Sequence, residues 1–404
     1  MRSSTPLFVI GGLFAVLAAA GCTSQGDTSA QVAGGECAAP QGVTADTIKI
    51  GSTWPLTGAA AVGALGSKSG TEAAFKEVNE SGGVNGRRIE LVSYDDAFEA
   101  ARSVANIRRL VDSDRVYAIF GPSGSANIPG SYDYIGNKGI PLFAPILPPD
   151  PHLQEVYLLG TSHTDQARII VDKLSDMGVK SVAVIRQDND LGAEILAGVK
   201  TQAKSRGLSV VADEVLEPNS PKVGTAVANA RSSKADAVVS GGDNAQTGLI
   251  LKTASEMGWD VPIFGDSTTG SPGSTNTVGS AGKAAEGFYA TAIASFPDDD
   301  TKAVAKYREA MEKYNPGQIN NSYALINYAN AQVFLEILKK INDKLCWNNF
   351  SDTAEQLKDY ETNLIPSVSF GPLPDGHVGT RGAMVTQYVG GKWTVVSDGF
   401  VEPK

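Results

Sequence analysis

The chain reads IKIGSTW at Ile48–Trp54, SGTEAAFKEVNES at Ser69–Ser81 and, after the turn GGVNG, IELVSYDD at Ile89–Asp96. The outer two segments are short and rich in apolar and β-branched residues, which is typical of strands, and the middle one predicts a helix. The alternation continues through VYAIFG and IPLFAP, and it restarts with SVAVIRQ after a break around residues 152–166. This pattern predicts an α/β fold with two lobes, each a parallel sheet covered by helices on both faces.

A third section follows the two units. It begins with the strand GFYATAIA, continues with helices over Thr301–Tyr314 and Ser322–Ile341, and ends in a hairpin, MVTQYVGGKWTVV, with the turn signal Gly390-Gly391. The second helix is apolar but carries Asn327 and Asn330, so we interpret it as a core helix and not as a membrane span.

Composition excludes several classes of function. The chain has 404 residues, with 34 Lys and Arg against 44 Asp and Glu, for a formal net charge of −10. A protein that binds the phosphate backbone presents a basic surface, so we expect no nucleic-acid partner. The acids, cysteines and histidines show no metal-ligand spacing, and GALGSKSG matches neither glycine-rich nucleotide pattern. We therefore expect neither a metal nor a cofactor.

The N-terminus has the features of an export signal. An apolar run at Leu7–Ala20 is too short for a stable span and ends in LAAAGC, with Cys22 as its last residue. The small residues before that cysteine resemble a bacterial lipobox. The resemblance implies a signal peptide at residues 1–21 and a diacylated Cys22 at the outer face of the cell membrane. The small polar residues that follow predict a flexible tether at residues 22–46. An ordinary secretory signal is the alternative, and both place the mature chain outside the cytoplasm.

Two further cysteines, Cys37 and Cys346, form an even pair in an oxidising compartment. We predict a disulfide between them, which ties the end of the tether to the region after the long helix that ends near Ile341. Two free thiols are the alternative.

The segment IFGPSGSAN, residues 119–127, follows a strand and opens a helix. It approaches the G-x-S-x-G elbow of serine hydrolases, except that Ser125 occupies the place of the last glycine. The alternative is a polar cup, in which the hydroxyls of Ser123 and Ser125 and the free N–H groups of a helix start bind an anionic oxygen.

A serine nucleophile needs a histidine, and the chain has three, at His152, His163 and His377. Each lies in a polar or Pro/Gly-rich stretch for which we expect a loop and no partner. The sequence therefore favours serines that hold a ligand, and we expect no enzymatic activity.

The segments IKIGSTWPLTG, NESGGVNG with YDD, AIFGPSGSAN, DNDLGAEILAGVK and EGFYATAIASF, in this order, resemble the leucine/isoleucine/valine-binding proteins of ABC importers, which have the type I periplasmic fold. The resemblance covers nearly all of the mature chain. It implies two Rossmann-like lobes joined by three crossovers, one at residues 47–160 and 291–370 and the other at residues 161–290 and 371–404. It also implies a small ligand in the cleft, hinge closure and an ABC permease as partner. We expect a monomer by default, because the sequence shows no exposed heptad or apolar patch.

In open α/β sheets the ligand lies at the carboxyl ends of the strands. By the resemblance, Ser125 takes the position of the serine that binds the ligand carboxylate. Ammonium recognition needs an acid in the second lobe, for which Asp243 and Asp266 are candidates, although both positions also suit a helix cap or a turn. The remaining candidate contacts are Trp54, which is either a wall of the cleft or a packed rim residue; Ser123, which is either a contact or a helix cap; the backbone of Ile146 and Leu147; Asp190; and Leu191.

Because of two departures from the family pattern, the sequence does not decide which ligand is bound. Pro148 stands where a threonine hydroxyl is expected, and Leu191 stands where a tyrosine is common. An amino acid, possibly branched-chain, is the leading class. Aromatic or other organic acids and amides are the alternatives, and a sensory role for a membrane partner is the alternative to transport.

Overall fold

The computed structural model describes residues 41–404, apart from 59, 123–127, 146–152, 219, 271–274, 342–344 and 375. All of these residues belong to one compact unit, Ala38–Lys404. Within it, two α/β lobes are built around two separate sheets.

The first sheet has five parallel strands in the order β2-β1-β3-β4-β5. They are β1 (Thr47–Trp54), β2 (Arg88–Asp95), β3 (Ala118–Phe120), β4 (Leu142–Phe143) and β5 (Val156–Tyr157). The helices of this lobe are α1 (Ala61–Glu80), α2 (Ala100–Asp112), α3 (Tyr132–Lys138), α9 (Lys302–Tyr314), α10 (Ser322–Ile341) and α11 (Trp347–Glu355). The buried side of α10 packs on α1 and on an aromatic cluster around Phe143 and Phe334.

The second sheet has seven strands in the order β12-β11-β10-β9-β8-β6-β7, of which β11 and β12 are antiparallel to their neighbours. They are β6 (Ser181–Gln187), β7 (Ser209–Leu216), β8 (Ala237–Gly241), β9 (Ile263–Gly265), β10 (Tyr289–Ala292), β11 (Met384–Val389) and β12 (Lys392–Val395). The helices are α4 (His163–Asp176), α5 (Asp190–Arg206), α6 (Gly224–Ser232), α7 (Asn244–Glu256) and α8 (Thr275–Ala281). The β11-β12 turn contains Gly390 and Gly391 with φ of 59° and 85°, as its hairpin signal predicts.

The chain passes between the two lobes three times: from β5 to α4, from β10 to α9, and from Phe370 to β11. The first and third passages run side by side. Leu158 N donates to His377 O at 2.8 Å, and Gly379 N donates to Leu158 O at 2.9 Å. These three passages are called the crossing segments below.

The α/β fold with two lobes and three crossovers confirms the predicted fold class. The expected break at residues 152–166 is wrong at its end, because α4 begins at His163. Its start signal is Ser162, whose hydroxyl accepts from Asp165 N at 3.0 Å. Two further helices, α8 and α11, were not expected from the sequence.

Within the described residues, no helix combines the length and apolar character needed to cross a bilayer. Cys346 is disulfide-bonded. Because Cys22 and Cys37 lie outside the described residues, the Cys37–Cys346 pairing and the lipid attachment stay predictions.

Candidate functional site

A cavity of about 410 Å³ lies between the two lobes, where the crossing segments meet. All three crossing segments line it, through residues 158–162, residues 293–296 and Val378. The N-terminal half of α10 forms the first-lobe wall, and the starts of α4, α5 and α7 with the turn after β9 form the second-lobe wall. The cavity therefore lies where opening or closing of the lobes would change its shape.

A histidine on the second-lobe wall contacts an aspartate that is buried behind the wall. His163 Nδ1 lies 2.8 Å from Asp266 Oδ2, and neither atom has a further partner among the described residues. Asp266 is only 2% exposed, and its other oxygen accepts from Thr268 N at 3.1 Å and from Thr268 Oγ1 at 2.6 Å. Burial of the ring opposes protonation, but the nearby Asp266 carboxylate outweighs burial, and the pKa of His163 is raised above its ordinary value.

Several polar side chains of the same wall are occupied by the protein itself. Gln166 donates to Thr161 O at 2.8 Å and accepts from Ser267 N at 2.9 Å and Thr291 Oγ1 at 2.7 Å. Its amide therefore links α4 to β10 and to the turn after β9, and both of its polar atoms form hydrogen bonds.

The described lining residues include one carboxylate, that of Glu194 in the second turn of α5. It has no hydrogen-bond or ion-pair partner among the described residues, and it contributes to the raised pKa of His163. It is the acid on this wall that remains available to a ligand.

The first-lobe wall is largely apolar, with Asn327 as its most buried polar residue. Asn327 is 1% exposed and donates from Nδ2 to Ser67 Oγ and to Tyr323 O, both at 3.0 Å. These two bonds fix the amide orientation, and Asn327 Oδ1 has no partner in the part of the chain that the structure describes. That oxygen lies 3.2 Å from the position that a Cβ on Gly121 would take. The end of β3 is therefore beside this wall of the cavity.

Of the two aspartates predicted as ammonium partners, Asp243 is the N-cap of α7. Its Oδ1 accepts from Gln246 N at 2.8 Å, and its Oδ2 accepts from Gln187 Nε2 at 2.8 Å. Asp243 and Asp266 are absent from the described cavity lining, and both carboxylates are engaged within the lobe. The cap of α7 thus accounts for the carboxylate of Asp243, and the contact with the His163 ring accounts for that of Asp266.

Three other predicted contacts are not among the described lining residues of the cavity. Trp54 is fully buried, and its indole N–H donates to Gly121 O at 2.7 Å, which matches the packed alternative. Leu191 packs against the second-lobe core, and Asp190 is the first residue of α5. Ser123, Ser125, Ile146, Leu147 and Pro148 lie outside the described residues.

The expectation that the histidines are loop residues without partners is wrong in both respects for His163; for His377, which does lie in a turn, only the expected lack of a partner is wrong. His163 begins α4 and contacts Asp266, a residue 103 positions away in sequence. His377 is 1% exposed, stacks on Tyr157 with ring centroids 4.4 Å apart, and lies 3.2 Å from Glu355 Oε1. His152 lies outside the described residues.

The sequence reasoning missed His163 and Glu194 as cavity residues. The signal for Glu194 was available, because a residue four positions after Asp190 lies one turn along the helix that begins at a strand end. The signal for His163 was the sequence S-x-x-D, which marks a helix start at Ser162. No group of three or more His, Cys, Asp or Glu residues that could hold a metal occurs in the described part of the chain.

Comparison with known proteins gives one family. The model of the periplasmic binding protein family matches residues 47–392. A Leu/Ile/Val-binding protein homolog of Brucella abortus is 27% identical over 309 residues, covering 73% of this chain and 77% of the relative. A leucine-, isoleucine-, valine-, threonine- and alanine-binding protein of Pseudomonas aeruginosa is 27% identical over 265 residues, covering 64% and 69%.

Solved structures share the fold. A branched-chain amino acid ABC transporter protein of Thermus thermophilus with bound valine superimposes with a TM-score of 0.71 at 18% identity, covering 88% of this chain and 97% of the other. A fatty acid ABC transporter substrate-binding protein of Thermomonospora curvata gives 0.72 at 23% identity, covering 89% and 94%.

The matched family consists of substrate-binding proteins and not of enzymes, and it implies a location outside the cytoplasm. Its two-lobed fold, with a cavity at the crossing segments, is the architecture described above. The chain therefore belongs to the type I periplasmic binding protein family, whose members include the leucine/isoleucine/valine-binding proteins.

Proposed function

We propose that this protein is the solute-binding component of an ABC importer and that its ligand is a small molecule with a carboxylate and an apolar portion, most simply an amino acid. The observation that carries the proposal is the interlobe cavity, whose first-lobe wall is largely apolar and whose second-lobe wall includes His163, in contact with the buried Asp266, and the carboxylate of Glu194, which has no partner among the described residues. Two curated relatives carry leucine, isoleucine and valine in their names.

The apolar portion of the ligand has a matching surface. Apolar residues from the segment after β4, the second crossing segment and α10 line one side of the cavity; they include Ala144, Pro145, Ile293, Phe296 and Ile326. Burial of a branched aliphatic side chain there contributes about 1.5–3 kcal/mol. This surface favours leucine, isoleucine or valine over polar amino acids.

We assign the ammonium contact to Glu194. A buried ammonium without a counter-ion is too costly to bind, so an amino-acid ligand needs an available carboxylate. Asp243 and Asp266 are engaged within the lobe, whereas Glu194 lines the cavity without a described partner. Ser125 remains the proposed carboxylate contact of the first lobe, on the basis of the family resemblance and of the position of β3 beside the cavity.

The decisive experiment measures binding of three related probes by calorimetry: L-leucine, 4-methylpentanoate, which lacks the amine, and 3-methylbutylamine, which lacks the carboxylate. L-leucine should bind most tightly because it satisfies all three features. Binding by none of these probes, nor by any other amino acid or carboxylic acid in a thermal-shift panel, would refute the proposal.

Glu194→Gln tests the ammonium contact in the same assay. It should weaken L-leucine roughly 10-fold or more, the effect of losing a hydrogen bond to a charged group, and leave 4-methylpentanoate nearly unchanged. Glu256→Gln is the matched control, since Glu256 is an exposed acid at the end of α7 in the same lobe. Equal losses for both ligands in Glu194→Gln would contradict the assignment and favour an organic acid as the natural ligand.

We also propose that Cys22 carries the lipid anchor, that residues 22–46 form the tether, and that residues 47–160 with 291–370 and residues 161–290 with 371–404 form the two lobes. The lipobox-like sequence LAAAGC supports the first of these. Detergent-phase partitioning of the mature protein and of Cys22→Ala should differ, with only the former in the detergent phase.

A further inference from the structure

We propose that His163, held in place by Asp266, donates a hydrogen bond from Nε2 to a carboxylate oxygen of the ligand. This role rests on the proposed function and deepens it, since it assigns the second-lobe contact of the ligand carboxylate. With Glu194 it would give one wall of the cavity the partners for both charged groups of an α-amino acid.

The position of His163 in the fold is defined by local structure. It is the first residue of α4, directly after Ser162, whose hydroxyl caps the helix by accepting from Asp165 N at 3.0 Å. The first crossing segment ends at this residue, so the imidazole lies where the chain enters the second lobe and lines the cavity. Its side chain is 16% exposed, which leaves part of the ring open to a ligand.

The orientation of the ring follows from its contact with Asp266. Nδ1 lies 2.8 Å from Asp266 Oδ2, and Asp266 is itself held by two hydrogen bonds from Thr268 to its other oxygen. Because Nδ1 faces the buried carboxylate, Nε2 is on the opposite side of the ring. Among the described residues Nε2 has no hydrogen-bond partner.

Charge around the imidazole favours its protonated form. Asp266 faces it from the turn after β9, and Glu194 faces it from α5, while Asp165 on α4 itself is paired with Arg168 at 3.0 Å. The described lining residues of the first-lobe wall carry no formal charge. Protonated His163 donates from both ring nitrogens, one to Asp266 and the other to a ligand.

Apart from His163, no side chain in the described cavity lining can carry a positive charge. The Gln166 amide is engaged at both of its polar atoms, and the Ser162 hydroxyl is used as a cap. Without His163 a carboxylate near this wall would face Glu194 with no described cation to offset the repulsion.

The test measures the Kd of L-leucine and of 4-methylpentanoate by calorimetry between pH 5.5 and 8.5. Both ligand carboxylates stay ionised and the leucine amine stays protonated over this range. In the wild-type protein the Kd of both probes should rise roughly 10-fold or more as the pH increases and His163 loses its proton. In His163→Gln, whose amide donates at every pH, the Kd should be nearly constant.

A second readout separates ligand contact from a structural role. Binding of 4-methylpentanoate, followed over the same pH series in two buffers of different ionisation enthalpy, should take up protons in the wild-type protein wherever its Kd rises with pH, and none in His163→Gln. The affinity for 3-methylbutylamine, which lacks a carboxylate, should not decrease as the pH rises.

Three outcomes would overturn the assignment: a Kd that is independent of pH in the wild-type protein, the same pH dependence in His163→Gln, or affinity that increases with pH. Each of these leaves the proposed function standing, because the carboxylates still bind. Failure of both carboxylates to bind at any pH would overturn the proposed function together with this assignment.

Discussion

Asp243 and Glu194 show how two acids of one lobe come to have different roles. Asp243 follows β8 directly and meets the free N–H groups of α7, which fix one of its oxygens, while Gln187 from the end of β6 fixes the other. Glu194 lies one turn inside α5, beyond the free N–H groups of that helix, and its carboxylate reaches the cavity. Helix-start chemistry therefore occupies the first acid and leaves the second for a ligand.

The capping role of Asp243 predicts a loss of stability without a loss of binding. Asp243→Ala should lower the free energy of unfolding by about 0.5–2 kcal/mol, the usual cost of removing an N-cap. Thr301→Ala is the matched control, because Thr301 caps α9 through its hydroxyl and lies in the other lobe, away from the described cavity lining. Denaturant unfolding should give similar losses for both variants. A selective loss of L-leucine affinity in Asp243→Ala would show that the carboxylate serves the ligand instead.

Individual side-chain roles were the least predictable part of the site. The sequence identified the acids at strand ends and offered a cap as one explanation of Asp243, and the structure contains that cap. It could not identify the pair of His163 with Asp266, because the contact joins residues 103 positions apart and forms only when the turn after β9 meets the start of α4. The role of Trp54 was equally hard to predict from the sequence, since its burial depends on its contact with the end of β3.

At the level of elements, the contact between α1 and α10 explains why a glycine lies in the middle of α1. A Cβ at Gly70 would lie 1.9 Å from Ala324 O and 2.7 Å from Ala324 C, both of which are backbone atoms of α10. The two helices therefore approach more closely than any larger residue at position 70 allows. Because α10 also carries the first-lobe wall of the cavity, this contact helps to place Tyr323 and Asn327.

Gly70→Ala should be destabilising in spite of the higher helix propensity of alanine. Overpacking against a backbone costs about 1–3 kcal/mol, which exceeds the gain of about 1 kcal/mol from removing a helical glycine. Gly279→Ala is the matched control, because nothing lies within 4 Å of a Cβ at that position in α8. Thermal unfolding should show a lower Tm for Gly70→Ala and an equal or higher Tm for Gly279→Ala. A neutral Gly70→Ala would mean that α1 and α10 can move apart without cost.

The elements themselves were predicted well where the pattern was long and periodic. The α9 helix and the long α10 helix lie where their apolar spacing places them, and the β11-β12 hairpin turns at its two glycines. The start of α1 was placed too late, because the segment Ala61–Lys68 has small residues and no clear apolar stripe. Short helices such as α8 and α11 have too few turns to give a periodic signal.

For the whole molecule, the important feature is that the crossing segments and the cavity occupy the same place. The first and third crossing segments are hydrogen-bonded to each other, and Gly160 N donates to Thr380 Oγ1 at 2.9 Å. A ligand in the cavity therefore contacts both lobes and the segments between them. Its binding free energy can bias the relative position of the lobes to the extent that it contacts them differently in two states.

The His163–Asp266 pair also predicts how the stability of the whole molecule depends on pH. The folded-state pKa of His163 is raised above its ordinary value of 6.5, so the folded protein binds this proton more tightly than the unfolded chain does. The stabilisation is fully present below pH 6.5 and is lost as the pH rises through the folded-state pKa. The side chain in His163→Gln does not titrate, so this variant has no such pH-dependent stabilisation. The difference in free energy of unfolding between wild-type protein and His163→Gln should therefore be most favourable to wild type below pH 6.5 and should decrease above it.

Denaturant unfolding of both proteins without ligand, at the same series of pH values, measures this difference, and other titrating groups cancel because both chains share them. A difference that stays constant from pH 5.5 to 8.5, or increases with pH, would show that Asp266 does not hold a proton on His163 in the folded protein.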